Sequence, residues 1–553
     1  MPRSRQMLLA AAFTLLVVYL TLFFQLGDVA FMGADEPRYA RIAQEMQQSG
    51  DWVTPRLEGR PWLEKPPLFY WLAASSYFVW GVSEAAARLP NVLLGVVTAL
   101  AVAFMGAFIG SPRAGLFSLL ILITSPLYVG LSRSASTDAP LTAALSLACI
   151  WAFMAGEDES SHRRRLLWSA LAGFGLGAAV LAKGPVALVL FGGIFLVYFL
   201  WLERVPWSPL QMAAGGGVFL LTAVPWYYWV WQANGYDFVI TFWINHHIAR
   251  FVSDIHHHGE PIWYYVVVLL FGFFPWFFYL GPAAVGLWKR LRQRGHSDVL
   301  EEQEGQPDRS VRGEVFVWIW ALIPFLFFST AKSKLGGYIL PILPALALIV
   351  GLLWDRHVDL EISLYRRLKR STRALSAFAL VLMGALPIAS HVFYDSAALG
   401  FWLALPLAAG MAVLWLRTGQ ASPGPAFLTL VAMMTLFIST AYFKGGPSIE
   451  DYHSTRDVVT WVRPELSEQR PLVFYRFFHH SARYYAHYQA RSQAIHSYDE
   501  LLDFLSQASW ERYLVLTKEE GRRDLETYFH SRLLSRQGEF YLLEVRPQAG
   551  RSQ

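Results

Sequence analysis

The chain is poor in sulfur and in charge. A single cysteine, Cys149, stands among 553 residues. That excludes an internal disulfide framework, and its place in an apolar run points to plain packing. Charged residues are 16% of the total, below the roughly 25% of soluble domains. No Walker-type phosphate loop is present. Nor is there a basic, aromatic-interleaved stretch of the kind nucleic-acid binders use, so no nucleic-acid partner is expected. No internal repeat is visible. What the chain has in excess is apolar: 55% of residues are hydrophobic and 16% aromatic, with 22 Trp. Soluble chains hold about 45–50% apolar residues, and Trp and Tyr collect where membrane meets water.

Runs close to the spanning length of about 20 residues recur. They lie near 7–26, 88–110, 114–131, 138–155, 166–182, 184–202, 211–232, 262–288, 314–330, 338–354, 374–393, 398–416 and 425–443. About 13 membrane-spanning helices are expected, because backbone in lipid must satisfy its own hydrogen bonds. The first run has no small-residue cleavage site and reads as a retained helix. Basic clusters at Arg3 and Arg5, Arg163–Arg165, Lys289–Arg294 and Arg366–Arg370 all fall on one side of this plan. By the positive-inside rule that side is the cytoplasm of a multi-pass protein.

Residues 1–443 are expected to form the membrane body. Two long outer segments interrupt it, 27–87 and 233–261. The first carries helical spacing over Tyr39–Met46, an Asp51–Pro55 turn and an apolar stretch from Leu68 to Trp80, which predicts juxtamembrane helices at the interface. Residues 444–553 differ in kind. Strands are expected at Leu472–Tyr475, Tyr513–Leu516 and Phe540–Val545, and helices at Ser481–Gln489, Asp499–Ser509 and Arg522–Leu533. This alternation predicts a small soluble α/β domain.

Ionisable residues at the outer helix ends carry the functional signal. Asp35 and Glu36 follow the first span, with Pro37 and Arg38 next. One acid would serve as a helix cap; two acids and an arginine exceed that need, and residues 35, 38 and 39 share one side of the helix start. Glu64 and Lys65 precede two prolines that fix their direction, although such a pair is also compatible with plain surface chemistry. Asp138 opens a span, where capping alone would account for it. Lys183 breaks two spans, where a snorkelling lysine is the plain alternative. Lys332 and Lys334 sit at another outer turn, against the positive-inside pattern, so an anionic ligand is expected. The 245–261 segment holds His246, His247, Arg250, His256, His257 and His258. Together with Glu64 it could form a nitrogen–oxygen site for a divalent metal, although three histidines in a row are more often a solvated loop. Polar groups at membrane depth are functional candidates by default. A cavity of carboxylates and cations suits a phosphorylated, lipid-linked substrate.

The segments Asp35–Ala40, Ser49–Leu57 and Glu64–Pro67 strongly resemble the lipid A aminoarabinose transferases, GT-C superfamily enzymes distantly related to protein O-mannosyltransferases. Segments His247–Phe251, His258–Trp263, Ser333–Leu335 and Tyr338–Pro341 match that family in the same order. The resemblance implies a GT-C body of about 13 spans with an outer soluble domain. It implies a polyprenyl-phosphate-linked sugar donor of the undecaprenyl type, and lipid A or another periplasmic acceptor. It places the enzyme in the bacterial cytoplasmic membrane, among its lipids, with the active site facing the periplasm. Asp35 matches the catalytic aspartate and Asp138 a second functional acid. Arg38 and Lys65 match cations near the carrier phosphate. Glu64 and His258 match a metal pair, zinc in the family, with magnesium or manganese as alternatives and His257 as an alternative ligand. Tyr338 matches a tyrosine near the catalytic acid. Tyr39, Lys183, Arg250 and Lys334 complete the expected substrate-binding set. One departure stands out: Gly336 and Gly337 replace the proline and polar residue that often precede the motif tyrosine. Competing readings are a protein O-mannosyltransferase-like enzyme and, in a different class, a flippase for lipid-linked sugars.

Overall fold

A computed structural model of the chain describes residues 3–249, 260–293, 309–359, 362–417, 423–467, 470–487, 490–491, 494–507 and 512–546. Arg250 and His256–His258 lie outside the described residues, as does Arg294 of the 289–294 basic stretch.

Among the described residues, eight helices are long and apolar enough to cross a membrane, and ten if each of two bent pairs counts as one span. The expected count of about 13 is not reproduced on that measure. Two of the missing spans are present as shorter apolar helices, Met7–Phe23 and Val186–Leu202. A third, Pro209–Phe238, is rich in Trp and Tyr, whose polar tips lower its apolarity. Two runs expected to be straight are broken. Pro112–Ile123 and Pro126–Ser132 meet at 69°, and Tyr264–Gly272 and Trp276–Arg292 at 107°. Proline explains both sites: Pro126 and Pro275 cannot donate the backbone bond that would continue the helix.

Two antiparallel helices fix the two ends of the body. Asp138–Glu157 packs along His162–Lys183. At 1.5 Å per residue these 20- and 22-residue helices are about 30 Å long. Asp138 and Lys183 therefore share one end, while Glu157 and the Arg163–Arg165 cluster share the other. The second end carries ion pairs on buried carboxylates. Arg312 meets Glu157, and both Arg290 and Arg356 meet Glu314.

At the Asp138 end lie two short helices, Asp35–Ser49 and Leu68–Trp80, as expected of the first outer segment. Gly50 adopts φ 70° and ends the first of them, a left-handed cap that favours glycine. The Asp51 carboxylate then accepts from the backbone N–H groups of Val53 (3.1 Å) and Thr54 (3.0 Å), closing the turn. A two-stranded ribbon follows, β1 (Arg56–Leu57) against β2 (Arg60–Pro61).

The last apolar helix runs into Gly446–His453 and then Arg456–Val462. Beyond it is a four-stranded sheet of β3 (Val473–Phe474), β4 (Tyr513–Thr517), β5 (His530–Gln537) and β6 (Phe540–Arg546), in the order β3-β4-β6-β5. The β3–β4 pair is parallel and the others antiparallel. The expected helix over 522–533 is corrected: a helix covers Glu519–Tyr528 and β5 begins at His530. Pairing along β6 holds that stretch extended. The period of two divides the strands. Leu514, Leu516 and Leu542 join Phe31, Tyr39 and Phe69 in one core, and Tyr513, Val515 and Leu543 pack on the sheet's own helices. One face of the soluble sheet is thus glued to the juxtamembrane helices.

Candidate active site

The Asp35–Ser49 helix starts where the chain leaves the first span. Asp35 and Arg38 form an i,i+3 ion pair, with Asp35 about half exposed. The Arg38 guanidinium also donates to the Ala34 carbonyl (2.9 Å) and lies 5.4 Å from the Trp62 ring. Glu36 turns the other way, into the protein. It accepts from two Arg88 nitrogens, Nη2 at 2.9 and Nε at 3.0 Å, and from the backbone N–H groups of Met32 (3.1 Å) and Ala135 (2.8 Å). Burial raises its carboxyl pKa, but Arg88 and the Ala135 and Met32 N–H groups together outweigh burial and hold the group below its ordinary value. One carboxylate therefore ties the Asp35 turn to the 133–137 loop that leads into Asp138.

Asp138 is ion-paired with Lys183. The Lys183 ammonium stands 4.4 Å from the centre of the Tyr338 ring. One of the two glycines before Tyr338, Gly337, finds its reason here. A Cβ at Gly337 would lie 3.2 Å from the Asp138 Oδ2, so the turn passes closely over the carboxylate. Tyr39 lies within the field of both acids. Burial pushes its phenol well above the ordinary range, and the carboxylates of Asp35, Asp138 and Glu64 push it further, against Arg38. Three acids from three distant chain segments thus act on one phenol.

A cavity of about 340 Å³ opens beside these groups, lined by Lys65, Lys183, His246 and Tyr338 and walled by apolar residues including Val189 and Phe327. Asp35, Arg38 and Tyr39 are not in its lining. Glu64 lies beside His246, carboxylate oxygen to Nε2 at 3.6 Å. Lys334 is buried but directed elsewhere: its ammonium donates to the carbonyls of Ala331 (2.6 Å) and Glu260 (2.8 Å), at a separate hollow lined by Lys332.

Three participants lie outside the expected site set: His246, named only as one of the histidines of its segment, His480 and Arg88. Among the described residues His246 stands beside Glu64; His257 and His258, the expected ligands, lie outside them. His480, from the soluble domain, stands near Arg38 and Asp35. Its imidazole is lowered to about 4, first by burial and then by Arg38, His479 and Arg483, with Asp35 opposing. The same short helix anchors the domain. Arg483 pairs with Glu58, and the Tyr485 hydroxyl donates to Glu84 (2.8 Å) while accepting from the Phe31 N–H (2.9 Å). No local sequence signal joins residue 480 to residue 35; for Arg88, a charge at the start of an apolar run was a signal that could have found it.

Residues 7–246 match the family model for dolichyl-phosphate-mannose-protein mannosyltransferase. An undecaprenyl phosphate-alpha-4-amino-4-deoxy-L-arabinose arabinosyl transferase of Edwardsiella ictaluri is 30% identical over 349 residues, 62% of this chain and 59% of that protein. Its counterpart in Shewanella sediminis is 28% identical over 415 residues, 72% of this chain and 71% of that one. The chain thus spans less than two thirds of the first of these relatives. The crystal structure of ArnT from Cupriavidus metallidurans bound to undecaprenyl phosphate superposes with a TM-score of 0.78 over 98% of both chains, at 23% identity. That match establishes the fold over nearly the whole length.

Proposed function

We propose that this chain, an ArnT-like GT-C protein related to the O-mannosyltransferases, moves a sugar from an undecaprenyl-phosphate-type donor to lipid A. The sugar is aminoarabinose or a close relative, and the active-site end faces the periplasm. The supporting observation is the composition of the cavity. Its cations, Lys65 and Lys183, are gathered near Asp138 and Tyr338, and its walls are apolar. A phosphate with a polyprenyl tail has that same division. The outward orientation rests on the Lys/Arg asymmetry, with the Arg163–Arg165 cluster at the far end of the helix that carries Lys183.

In the reaction, the bond from the anomeric carbon to the carrier phosphate oxygen breaks, and a bond to an acceptor oxygen forms. Negative charge grows on the departing phosphate. Lys65, and Lys183 held against Asp138, stabilise it as fixed charges in a dry site. Arg38 adds a further positive charge from the Asp35 side. An acceptor hydroxyl needs Asp35 as general base, worth about 10²–10⁴-fold. An acceptor phosphate is already ionised, and Asp35 then orients it or steadies positive character at the anomeric carbon. Asp35→Asn is expected to fold and bind donor but not to turn over. Near-normal transfer by that variant, with lipid-linked donor and purified protein, removes Asp35 from the scheme.

A divalent metal, zinc or else magnesium or manganese, belongs to the same proposed site. Among the described residues no group of three or more His, Cys, Asp or Glu side chains could hold a metal ion. Glu64 and His246 offer one carboxylate and one imidazole 3.6 Å apart. Two donors on one tetrahedral zinc stand about 3.3 Å apart, so the pair fits two corners of a site and leaves the others to His258 or solvent. A divalent cation held there would supply positive charge near the carrier phosphate.

A further inference from the structure

A second cationic pocket lies on the other side of the Glu36 clamp. It has a volume of about 240 Å³ and is bordered by Leu26, Val29, Met32, Arg88, Arg133 and Tyr442, among others. None of the residues assigned to the donor cavity takes part in it.

Arg133 is 4% exposed. Two of its nitrogens donate to the carbonyls of Thr21 (3.0 Å) and Phe24 (2.6 Å), at the end of the first span. Capping those carbonyls is an ordinary use of arginine. It leaves Nε over, and that buried N–H has no hydrogen-bond partner among the described residues. The guanidinium carbon sits 3.5 Å from the centre of the Tyr442 ring, which orients the plane without satisfying the donor. Charge tells the same story. The pocket is lined by two guanidiniums, Arg88 and Arg133, and one carboxylate, Glu36. Glu36 already serves Arg88 with both oxygens, so Arg133 has no carboxylate of its own in the pocket lining; the other acid whose field reaches it, Asp28, is exposed and outside that lining. A buried unpaired charge and a buried unmade N–H bond are each costly. An anionic group with oxygen acceptors removes both costs.

Position narrows the anion. The pocket sits where the first span ends and the last apolar helix passes through Tyr442, with Leu26, Val29 and Met32 as its apolar wall. This is headgroup depth. We infer that the Arg133–Tyr442 pocket is a second anion site that binds the phosphate headgroup of a membrane lipid, separately from the donor. The inference does not depend on sugar transfer. It has a consequence for it, because the Glu36 carboxylate that closes the pocket also holds the Met32 and Ala135 N–H groups next to Asp35 and Asp138. Occupancy is then felt at both acids.

The test is native mass spectrometry of the full chain in detergent, titrated with phosphatidic acid, phosphatidylcholine, undecaprenyl phosphate and inorganic phosphate. Wild type is compared with Arg133→Gln and Arg133→Lys. The expected result is at least tenfold weaker binding of phosphatidic acid by Arg133→Gln and partial retention by Arg133→Lys, with undecaprenyl phosphate bound equally by all three. Phosphatidylcholine should bind weakly, and millimolar phosphate should not displace phosphatidic acid. Equal phosphatidic acid binding by wild type and Arg133→Gln overturns the site. Displacement by inorganic phosphate overturns the lipid as its source. Parallel loss of undecaprenyl phosphate shows a shared or collapsed site and overturns it as well. Failure of sugar transfer in wild type would bear on the proposed function only.

Discussion

Glu36→Gln is the sharpest perturbation of this architecture, because it removes one charge and almost no volume. The change breaks a pair in which both partners are buried, Glu36 about 10% and Arg88 about 6% exposed in their side chains. Breaking a buried pair costs about 3–5 kcal/mol, since the remaining charge is stranded. Arg88 keeps three carbonyl acceptors, on Leu26 (3.1 Å), Val29 (2.6 Å) and Ala30 (3.0 Å), which favours the lower end. About 3 kcal/mol is expected, a factor of more than 100 in the folding equilibrium. The new amide also turns an NH₂ toward one of the N–H donors of Met32 and Ala135, loosening both turns that present the acids. The assay is equilibrium unfolding of the detergent-solubilised chain, followed by tryptophan fluorescence, alongside transfer from a lipid-linked donor. A control at the exposed Arg522–Glu526 pair should move stability by less than about 0.5 kcal/mol. The double variant Glu36→Gln with Arg88→Met should be less damaged than the two single losses added together. The pH dependence has a definite sign. The folded carboxyl is lowered, so its stabilisation is complete above the unfolded pKa near 4.5 and is lost as pH falls through the lower folded value. A Glu36→Gln protein that loses under 1 kcal/mol at neutral pH and transfers sugar normally would refute the clamp.

Three further outcomes follow from particular contacts. Gly337→Ala puts a methyl 3.2 Å from the Asp138 Oδ2 and should lower kcat by about tenfold with Tm unchanged; an unaffected kcat would show that the turn yields freely. His479 and His480 are both lowered to about 4, so the unfolded domain takes up their protons first. Stability is therefore full above about pH 6.5 and declines toward pH 4, and hydrogen exchange over the soluble domain should rise across that window; a flat profile, or one unchanged by His480→Gln, counts against the docked placement of these rings. Chelation with verified metal loss should reduce transfer and zinc, magnesium or manganese should restore it, while Glu64→Ala should lower bound metal measured by mass spectrometry; full activity after verified loss would dismiss the metal.

The parts of this molecule that were legible in sequence are those governed by local rules. The apolar body shows itself because lipid admits long apolar helices. Asp138 and Lys183 show themselves because charge at the end of an apolar run needs a cause. Asp35 and Arg38 show themselves because i,i+3 spacing puts them on one side of a helix. What stayed hidden depends on direction or on distance along the chain. Asp35 and Glu36 are neighbours in sequence, and composition cannot say which acid faces outward. In the fold they point apart by roughly 100°, the turn per residue of a helix. One pairs with Arg38 near the surface and the other disappears against Arg88. The bends at Pro126 and Pro275 escape a reading by apolarity because the residues on both sides are equally apolar. The β5 strand escapes because its partner, β6, decides the matter from ten residues away. Its exposed face reads as an amphipathic helix when taken alone.

Gly336 and Gly337 show how the two kinds of information combine. As sequence they were a departure from the family pattern with no cause attached. The fold supplies the cause for Gly337: the backbone there passes over the Asp138 carboxylate that Lys183 holds, and a Cβ would lie 3.2 Å from its Oδ2. His480 is the converse case. Nothing near it in sequence marks it, and it gains a role only because one face of a soluble sheet buries itself on the juxtamembrane helices and carries an imidazole to within the field of Arg38 and Asp35. A family pattern can therefore nominate the acids of such a site. Which of them is caged, which is free, and what the soluble domain brings to them are decided by packing between segments more than 400 residues apart.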